Sequence, residues 1–253
     1  MTTISIITVT YNSAHTLSAA IESVLGQTYP HIEYIVVDGA SKDGTVELVR
    51  SYGTRIANHV SEPDNGIYHA MNKGISMATG DYVGFLHADD LLASPLVVEK
   101  MVGRIEKSQC DALYGDLEYV SKNNPDNVVR YWKSCDFSPA LLKNGWMPPH
   151  PTVYIRKEIY KEIGGFNESF RIAADYDFIL RLFSRYGNHT AYLDQTIVKM
   201  RVGGASNRSI ANIIKKSQED YKAMRNNRIG GIGTLLVKNF SKLGQFVRRE
   251  RRK

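Results

Sequence analysis

Residues 82–90 read YVGFLHADD, an apolar stretch that ends in two adjacent carboxylates. The apolar part has the length and composition of a strand that is buried on both faces. Neighbouring ionised carboxylates repel one another, and little water screens them at the end of a buried strand, so a positive partner is expected there. Carboxylate oxygens suit Mg²⁺ or Mn²⁺, which usually keep positions open for substrate phosphates. The stretch therefore predicts a buried strand that ends at a divalent cation and a phosphorylated ligand.

An Asp pair is a short motif, and it also occurs in loops that face solvent. In that case Asp90 would cap a following turn, and Asp89 would be a solvated surface residue. The sequence on both sides of the stretch has to decide between these two interpretations.

Strand patterns and helix patterns alternate through the first half of the chain. Strands are predicted over 4–10, 33–37, 56–61 and 82–87, and helices over 14–27, 41–52, 68–78 and up to residue 107, the last one capped by Ser94 ahead of Pro95. This alternation favours an α/β fold with a doubly wound, mostly parallel, Rossmann-like sheet. Two further strands, over 112–120 and 128–133, surround a polar loop and indicate antiparallel additions.

Polar residues follow three of the predicted strands. They are Thr8, Thr10, Tyr11 and Asn12 at the first strand, Asp38 at the second, and Asp89 and Asp90 at the fourth. In a doubly wound sheet, ligands bind at the carboxyl ends of the strands. We therefore expect these side chains to converge on one rim of the sheet.

Composition places the chain among globular proteins, because 253 residues with 43% hydrophobic and 23% charged residues can bury one sizeable core. The net charge of +6 is concentrated in residues 222–253, which hold ten of the 32 basic residues and one of the 26 acidic ones. A basic tail is expected, and not a nucleic-acid-binding domain. Two cysteines without metal-ligand spacing, no signal pattern and no bilayer-spanning run favour a cytoplasmic protein.

Two familiar phosphate-binding motifs are absent. No Gly-x-Gly-x-x-Gly follows the first strand, so Rossmann-type dinucleotide binding lacks its loop, and no Gly-x-x-x-x-Gly-Lys-Ser/Thr occurs. The first strand is also not followed by the glycine-rich, basic loop expected of a nucleotidyltransferase.

Several segments, taken in order, resemble the family 2 glycosyltransferases of the GT-A fold. They are SIITVTYN at 5–12, VDGASKDGT at 37–45, NKG at 72–74, ATGD at 78–81, FLHADD at 85–90, GGF at 164–166 and ADYD at 174–177. The resemblance implies a GT-A domain over 1–205, with a nucleotide-binding half over about 1–110 and an acceptor-binding half over about 111–205. It leaves a helical, basic extension over 206–253. Residues 62–74 are similar to a subgroup associated with bacterial surface-polysaccharide assembly.

The resemblance implies roles for particular residues. It assigns the nucleotide-sugar site to Thr8, Tyr11, Asn12, Asp38, Asn72, Lys73 and Asp89, the Mn²⁺ or Mg²⁺ ion to Asp90 together with Asp89, and acceptor or loop contacts to His150 and Arg201. Asp38 could instead be a turn residue beside Gly39, and Lys73 a solvated surface lysine. His87 stands where the family's metal motif commonly has Asp, so it is either a supporting group or a histidine at the edge of the core.

Asp175 is singled out by the helix pattern as well as by the resemblance. A helix is predicted over 174–186 with an apolar stripe, and Asp175 lies four residues before Ile179 on that stripe. Asp177 lies on another face, at the spacing that pairs it with Arg181. The resemblance implies that Asp175 is the general base; the alternative is that it caps the helix.

The function implied is that of an inverting, non-processive glycosyltransferase. It would move a sugar from a nucleoside-diphosphate sugar to a hydroxyl of a glycan or a lipid-linked acceptor in bacterial surface-polysaccharide biosynthesis, including lipopolysaccharide. The Gln-x-x-Arg-Trp signature of processive synthases is missing. The alternative is a catalytically inactive nucleotide-sugar-binding subunit with a regulatory or assembly role.

The end of the chain predicts an amphipathic helix. Leu235, Leu236, Phe240, Leu243, Phe246 and Val247 share one face, and Lys238, Lys242, Gln245 and Arg249 lie opposite. This pattern suits an anionic surface such as the inner face of the cytoplasmic membrane. It also suits a helix that packs on the catalytic domain or on a partner.

Overall fold

A computed structural model describes residues 1–203 and 210–244 of the chain. The strands are Ile4–Thr10 (β1), Ile32–Asp38 (β2), Asn58–Ser61 (β3), Tyr82–Phe85 (β4), Leu91–Leu92 (β5), Ala112–Val120 (β6), Val128–Trp132 (β7), Tyr154–Arg156 (β8) and Thr190–Arg201 (β9). The helices are Ala14–Leu25 (α1), Thr45–Ser51 (α2), Ile67–Met77 (α3), Val97–Ser108 (α4), Pro139–Lys143 (α5), Lys157–Ile163 (α6), Ala174–Tyr186 (α7), Ile210–Asn226 (α8) and Ile232–Gly244 (α9).

All of these strands belong to one sheet. Its order is β3-β2-β1-β4-β8-β6-β9-β5, and β7 pairs with β6 outside that path. The pairings β2–β3, β1–β2, β1–β4 and β6–β9 are parallel, and β8 runs antiparallel to both β4 and β6. The carboxyl ends of β1, β2, β4, β6 and β9 therefore lie at the same edge. The doubly wound sheet with antiparallel additions is confirmed.

Each face of the sheet is covered by an apolar layer. In β1, Ile7 and Val9 contribute to the layer that contains residues of α3 and α7, whereas Ile4 and Ile6 contribute to the layer that contains residues of α1 and α4. Every residue of β1 is buried, as expected of a central parallel strand. The strand that ends at the centre of the rim is therefore packed on both faces.

The start of α4 differs from the prediction. The helix begins at Val97, and Ser94 is not its cap. The Gln27 side chain, which follows α1, instead accepts from the backbone N–H of Val98 (3.1 Å) and donates to the carbonyl of Ser94 (2.8 Å). A distant amide thus satisfies the first turn, which a local capping pattern could not indicate.

The packed core continues beyond residue 205. In α8, Ala223 and Met224 are buried in the same apolar layer as α7. In α9, Lys238 is 2% exposed and its Nζ lies 2.9 Å from Oδ1 of Asp220, which is equally buried. The described part of the extension therefore packs on the rest of the protein, one of the two alternatives that the sequence left open.

The predicted polar face of α9 is wrong at Lys238, which points inward because Asp220 and the Tyr176 ring receive its charge. Leu236 and Val237 are 52% and 47% exposed. Gln245, Phe246, Val247 and Arg249, and the side chains of Phe240, Lys242 and Leu243, lie outside the described part of the chain. Over residues 1–203 and 210–244, we find no helix of the length and apolar character that a membrane span requires.

Candidate active site

The ends of the parallel strands meet at one rim, as the sequence predicts. The backbone N–H of Gly39, which follows β2, donates to the carbonyl of Thr10 at the end of β1 (2.9 Å). The backbone N–H of Arg201, the last residue of β9, donates to Oδ1 of Asp90, which follows β4 (3.1 Å). Most of the predicted site residues lie along this rim or face it from α3 and α7.

Asp38 organises the turn after β2. It is 2% exposed, and its carboxylate accepts from the backbone N–H (2.9 Å) and the hydroxyl (2.5 Å) of Ser41 and from the hydroxyl of Ser61 (2.6 Å). Asn12 holds the same turn from β1, because its Oδ1 accepts from the N–H of Lys42 (2.9 Å). The turn role of Asp38 is therefore present in the structure, and its contact with a nucleotide base stays a prediction.

Tyr11 lies beside this turn, and its ring is exposed to solvent. It is 65% exposed, and a Cβ on Gly39 would lie 3.3 Å from the ring and 3.1 Å from a carboxylate oxygen of Asp64. Any side chain at position 39 would require these neighbours to shift by a few tenths of an ångström, which glycine avoids. An exposed aromatic ring such as that of Tyr11 is suited to stacking on a planar base.

Thr8 does not reach the rim. It has no exposed surface, and its hydroxyl shares a hydrogen bond with the Tyr34 hydroxyl (3.0 Å) inside the sheet layer. The contact between Thr8 and a nucleoside expected from the sequence does not agree with this placement. The reason is the alternation of β1, which turns Thr8 toward Tyr34 below the open edge.

Lys73 is already paired with carboxylates. Its Nζ lies 2.5 Å from Oδ1 of Asp64 and 2.9 Å from Oε1 of Glu62, and it donates to the carbonyl of Pro63 (3.2 Å). Burial opposes the charge of Lys73, but the hydrogen bonds and charges of Asp64 and Glu62 raise its pKa. The alternative of a solvated surface lysine is wrong, and a role for Lys73 near a diphosphate stays a prediction.

Asn72 connects α3 to the loop before α7. Its Nδ2 donates to the carbonyl of Phe166 (2.9 Å) and to Glu168 (2.8 Å), and its Oδ1 accepts from the N–H of Phe166 (2.8 Å). A Cβ on Gly165 would lie 2.4 Å from that Oδ1, so the close approach needs glycine. These bonds give Asn72 a structural role, and its predicted contact with the nucleotide sugar stays a prediction.

Asp90 is buried at the centre of the rim. It is 1% exposed; Oδ1 accepts from the N–H of Arg201, while Oδ2 has no hydrogen-bond partner within the described residues. Burial raises the pKa of Asp90 well above its usual range, the charge of Asp89 adds to the increase, and Arg201 opposes it. The guanidinium of Arg201 also donates to the Asp89 carbonyl (2.6 Å). The interpretation of this pair as a solvated loop is therefore wrong.

These carboxylates fit a divalent cation that takes its other ligands from substrate. A buried carboxylate oxygen without a partner needs a positive charge if it is to ionise. In the part of the chain that the structure covers, no group of three or more His, Cys, Asp and Glu residues is arranged to hold a metal. Mg²⁺ and Mn²⁺ can bind with so few protein ligands, because they commonly take one or two carboxylates from the protein and the other ligands from phosphates.

Asp175 faces the same region from the first turn of α7. Its Oδ1 accepts from the backbone N–H of Tyr176 (2.8 Å) and lies 3.5 Å from the Tyr68 hydroxyl. The N-cap of α7 is Ala173, so the alternative that Asp175 caps the helix is wrong. Asp177 pairs with Arg181 (2.9 Å), as predicted, and also accepts from Asn227 (2.9 Å).

Two histidines lie between the Asp pair and Asp175. The ring of His87 is 6.1 Å from that of His150, which also contacts the rings of Phe85 (6.1 Å) and Phe166 (5.6 Å). Burial lowers the pKa of His87 against the charges of Asp89 and Asp175, and burial lowers the pKa of His150 to about 4. His87 is thus near both carboxylate groups. Among the described residues, nothing hydrogen-bonds Nε2 of His150, so this nitrogen can accept from a ligand.

Three residues of the site were missed at the level of sequence. Tyr68 and Asp64 fall within the segment 62–74 that carries part of the resemblance, and that segment was the only signal for them. Glu219 lies on α8 and accepts hydrogen bonds from the loop that precedes Asp175. Nothing in the charged helix sequence around it marks Glu219.

Several known proteins are similar to this chain. The model of the family described as "Glycosyl transferase family 2" matches residues 5–185. A PGL/p-HBAD biosynthesis glycosyltransferase of Mycobacterium bovis is 32% identical over 209 residues, which is 80% of this chain and 78% of the relative. An uncharacterized glycosyltransferase of Rickettsia typhi is 32% identical over 234 residues, which is 87% of this chain and 70% of the relative.

Solved structures share the fold. S. aureus TarS 1–349 in complex with UDP-GlcNAc has a TM-score of 0.70 at 20% identity, over 89% of this chain and 65% of that one. The mannosyltransferase PcManGT from Pyrobaculum calidifontis, in complex with GDP-Man and Mn²⁺, has a TM-score of 0.66 at 20% identity, over 96% and 71%. This chain spans 39% of the longer TarS chain. The expected GT-A-type fold is confirmed.

Proposed function

Because this chain belongs to glycosyl transferase family 2, we propose that it transfers a sugar from a nucleoside-diphosphate sugar to an acceptor hydroxyl at the rim described above. The observation that carries the proposal is a continuous set of side-chain contacts between the two carboxylate groups. The His87 ring, two residues before Asp89, lies 6.1 Å from the His150 ring, which packs on Phe166 (5.6 Å). Phe166 in turn stacks on Tyr68 (5.8 Å), whose hydroxyl lies 3.5 Å from Asp175. The carboxylates suited to a diphosphate-bound cation and the carboxylate suited to proton abstraction therefore flank one region.

The donor is proposed to lie along the ends of β1, β2 and β4. Tyr11 would stack on the base, Asp38 and the turn held by Asn12 would bind the nucleoside, and Asp89 would contact ribose or the cation. TarS was solved with UDP-GlcNAc and PcManGT with GDP-Man, which supports a nucleotide-sugar donor here.

Asp175 is proposed to act as the general base. It would take the proton of the acceptor hydroxyl as that oxygen bonds to the anomeric carbon and the bond from that carbon to the diphosphate oxygen breaks. One displacement of this kind inverts the configuration. The hydrogen bond from the Tyr176 N–H fixes the rotation of the carboxylate, so the base is oriented before the acceptor arrives.

Asp90, with Asp89, is proposed to hold Mn²⁺ or Mg²⁺. Bound there, a divalent cation supplies electrostatic stabilisation for the charge of the leaving diphosphate. Arg201 holds the Asp pair in place through its bonds to Asp90 Oδ1 and the Asp89 carbonyl.

The acceptor is proposed to be a glycan or a lipid-linked glycan of the bacterial surface, extended by one sugar at a time. The relative named for PGL/p-HBAD biosynthesis and the missing processive signature support this role. His150, whose Nε2 has no hydrogen-bond partner among the described residues, would contact the acceptor or the transferred sugar. The protein is proposed to work in the cytoplasm, at the inner face of the membrane, where such acceptors are anchored.

The test is donor turnover. The purified protein would be incubated with Mn²⁺, a panel of UDP-, GDP- and dTDP-sugars, and a lipid-extract acceptor, and the release of nucleoside diphosphate would be measured. We expect release that needs metal and acceptor and that falls about 100-fold or more in Asp175→Asn. Glu106→Gln, the corresponding carboxylate-to-amide change near the end of α4, where Glu106 accepts from Thr2 ahead of β1 (3.4 Å), should leave the rate unchanged. Donor binding without turnover, equal in wild type and Asp175→Asn, would favour the inactive nucleotide-sugar-binding subunit.

A further inference from the structure

The loop that leads into α7 is held by a carboxylate from α8. Oε2 of Glu219 accepts from the backbone N–H groups of Arg171 (3.1 Å), Ile172 (2.8 Å) and Ala173 (3.0 Å), and Oε1 accepts from Arg171 as well (3.1 Å). Three successive amides therefore converge on one side chain, which lies 46 to 48 residues further along the chain. A carboxylate that accepts from several backbone N–H groups is held more strongly than a neutral acceptor would be.

Both backbone polar groups of Ile172 are hydrogen-bonded to side chains. Its N–H donates to Glu219, and its carbonyl accepts from the Tyr68 hydroxyl (2.6 Å). The same hydroxyl lies 3.5 Å from Oδ1 of Asp175. Glu219 and Tyr68 thus hold the backbone just before the residue proposed as the base.

The start of α7 has no cap of its own. Ala173 occupies the N-cap position and has no side chain that could accept a hydrogen bond. Glu219 places a negative charge near this helix end, where the peptide dipoles favour it. Glu219 therefore holds the three amides that lead into α7, while within the first turn of the helix Asp175 accepts from the Tyr176 N–H.

Two contacts that follow Glu219 in the sequence fix the position of α8. Next to Glu219, Asp220 forms the buried ion pair with Lys238 of α9. Further along, Asn227 donates to Asp177 of α7 (2.9 Å). Glu219 is therefore presented to the loop from a helix that is anchored to α7 and α9.

We propose that Glu219 is a positioning residue for the reaction: it holds the backbone of residues 171–173 so that Asp175 points at the acceptor hydroxyl. This inference rests on the proposed function, because it takes Asp175 as the base. The C-terminal extension is then part of the catalytic machinery, through a residue that touches no substrate.

The first measurement is hydrogen exchange of the full-length protein, which needs no substrate. Glu219→Ala removes the acceptor and Glu219→Gln leaves one neutral oxygen, so exchange at residues 171–173 should rise in the order wild type, Gln, Ala. Gln218→Ala, an exposed neighbour on the same helix, is the control and should not change it. Unchanged exchange at residues 171–173 in Glu219→Ala would overturn the proposal.

The second measurement is steady-state kinetics with the donor that turns over. We expect kcat to fall at least tenfold in Glu219→Ala and less in Glu219→Gln, with the KM for the donor within about twofold of wild type, because the nucleoside site is untouched. An unchanged kcat despite faster local exchange, or a rise of donor KM that accounts for the whole loss, would overturn the proposal. A wild-type protein that turns over no donor would refute the proposed function instead, and the exchange data would still decide whether Glu219 holds the loop.

Discussion

The charge of Asp90 is unfavourable in this structure unless the carboxyl takes up a proton or binds a cation. It is buried, one of its oxygens has no partner among the described residues, and its ionisation is opposed by burial and by Asp89. A neutral side chain of the same shape would remove that unfavourable charge and also the proposed cation site.

We therefore expect Asp90→Asn to fold and to lose metal-dependent stabilisation. Adding Mn²⁺ with a nucleoside diphosphate at about 100 times Kd should stabilise the wild type by about 2.7 kcal/mol by mass action. The variant should show no such rise in Tm in the same thermal scan, whereas Glu106→Gln should keep it. An equal rise in wild type and Asp90→Asn would contradict the assignment of Asp90 as a ligand.

Glu33 gives a pH-dependent prediction at the opposite edge of the sheet. Burial opposes its charge, but hydrogen bonds from the Ser5 hydroxyl (2.5 Å), from the hydroxyl (2.6 Å) and N–H (2.7 Å) of Thr79, and from the N–H of Gly80 (3.3 Å) lower its pKa below 4.5. A lowered pKa stabilises the fold above the unfolded value, and this stabilisation is lost as pH falls through the folded value.

Glu33→Gln should accordingly be less stable than wild type at pH 7, and the difference should shrink as pH falls below 4.5. Urea unfolding at pH 7, 5 and 3.5 measures this directly. A stability difference that stays constant over that range would show that the charge of Glu33 contributes nothing.

The sequence predicted single residues best where they follow a strand. Asp38 and Asp90 lie on the expected rim, because the carboxyl ends of parallel strands must meet. Arg201, also on the rim, was implied only by the resemblance. Thr8 was expected on the same rim but is buried beside Tyr34, and the residues that hold the site were not indicated by this rule. Tyr68 and Asp175, for example, are 107 positions apart and meet only through the packing of α3 against α7.

At the scale of elements, two helical glycines make a matched pair. A Cβ on Gly74 of α3 would lie 2.4 Å from Cγ2 of Ile7 in β1, whereas a Cβ on Gly103 of α4 would meet no atom within 4 Å. Both changes to Ala gain helix propensity of about 1 kcal/mol. Only the first forces α3 away from the sheet, since overpacking costs about 1–3 kcal/mol.

We therefore expect Gly74→Ala to lower the free energy of unfolding and Gly103→Ala to raise it or leave it unchanged. Urea unfolding of both variants would show whether each change raises or lowers the free energy of unfolding. A stabilised Gly74→Ala would mean that α3 does not pack on β1 as closely as the structure describes.

The ion pair between α8 and α9 gives a prediction for the extension. Lys238→Ala leaves Asp220 buried without its partner, which should cost about 3–5 kcal/mol of stability. Replacing both members by apolar residues, as in Lys238→Met with Asp220→Leu, should restore most of that loss or exceed wild type, because no charge is then buried. A double variant as unstable as Lys238→Ala, measured by urea unfolding, would contradict this account.

Element types were predictable from periodicity, and element boundaries were less so. The helix over 174–186 and the strand over 112–120 agree with α7 and β6 residue for residue. The predicted start of α4 is wrong because Gln27, in the segment after α1, satisfies its first turn. The predicted polar face of α9 is wrong at Lys238 because that side chain is buried. Both errors come from contacts between elements, which periodicity does not contain.

At the scale of the whole molecule, α8 and α9 expose apolar side chains, and the sequence that follows them, residues 245–253, is rich in Arg. Ile213, Ile214, Ile232, Leu236 and Val237 are each between 47% and 67% exposed. Each Lys or Arg close to an anionic surface adds about 1 kcal/mol to membrane binding. This combination supports the proposed peripheral contact with the inner membrane face.

We expect the protein to sediment with phosphatidylglycerol vesicles at low salt and much less with phosphatidylcholine vesicles or at high salt. Leu236→Gln combined with Val237→Gln should reduce the bound fraction, while Gln218→Ala should not. Equal binding to neutral and anionic vesicles, or none to either, would argue against this surface as a membrane contact.

The buried pair of Asp220 and Lys238 also constrains how this protein can evolve. Any single substitution that removes one charge passes through a chain with an uncompensated buried ion, so most such intermediates would be lost to selection. We expect related chains to carry at these two positions either both charges or two apolar residues. The two sites should therefore change together across a lineage, although they lie on different helices.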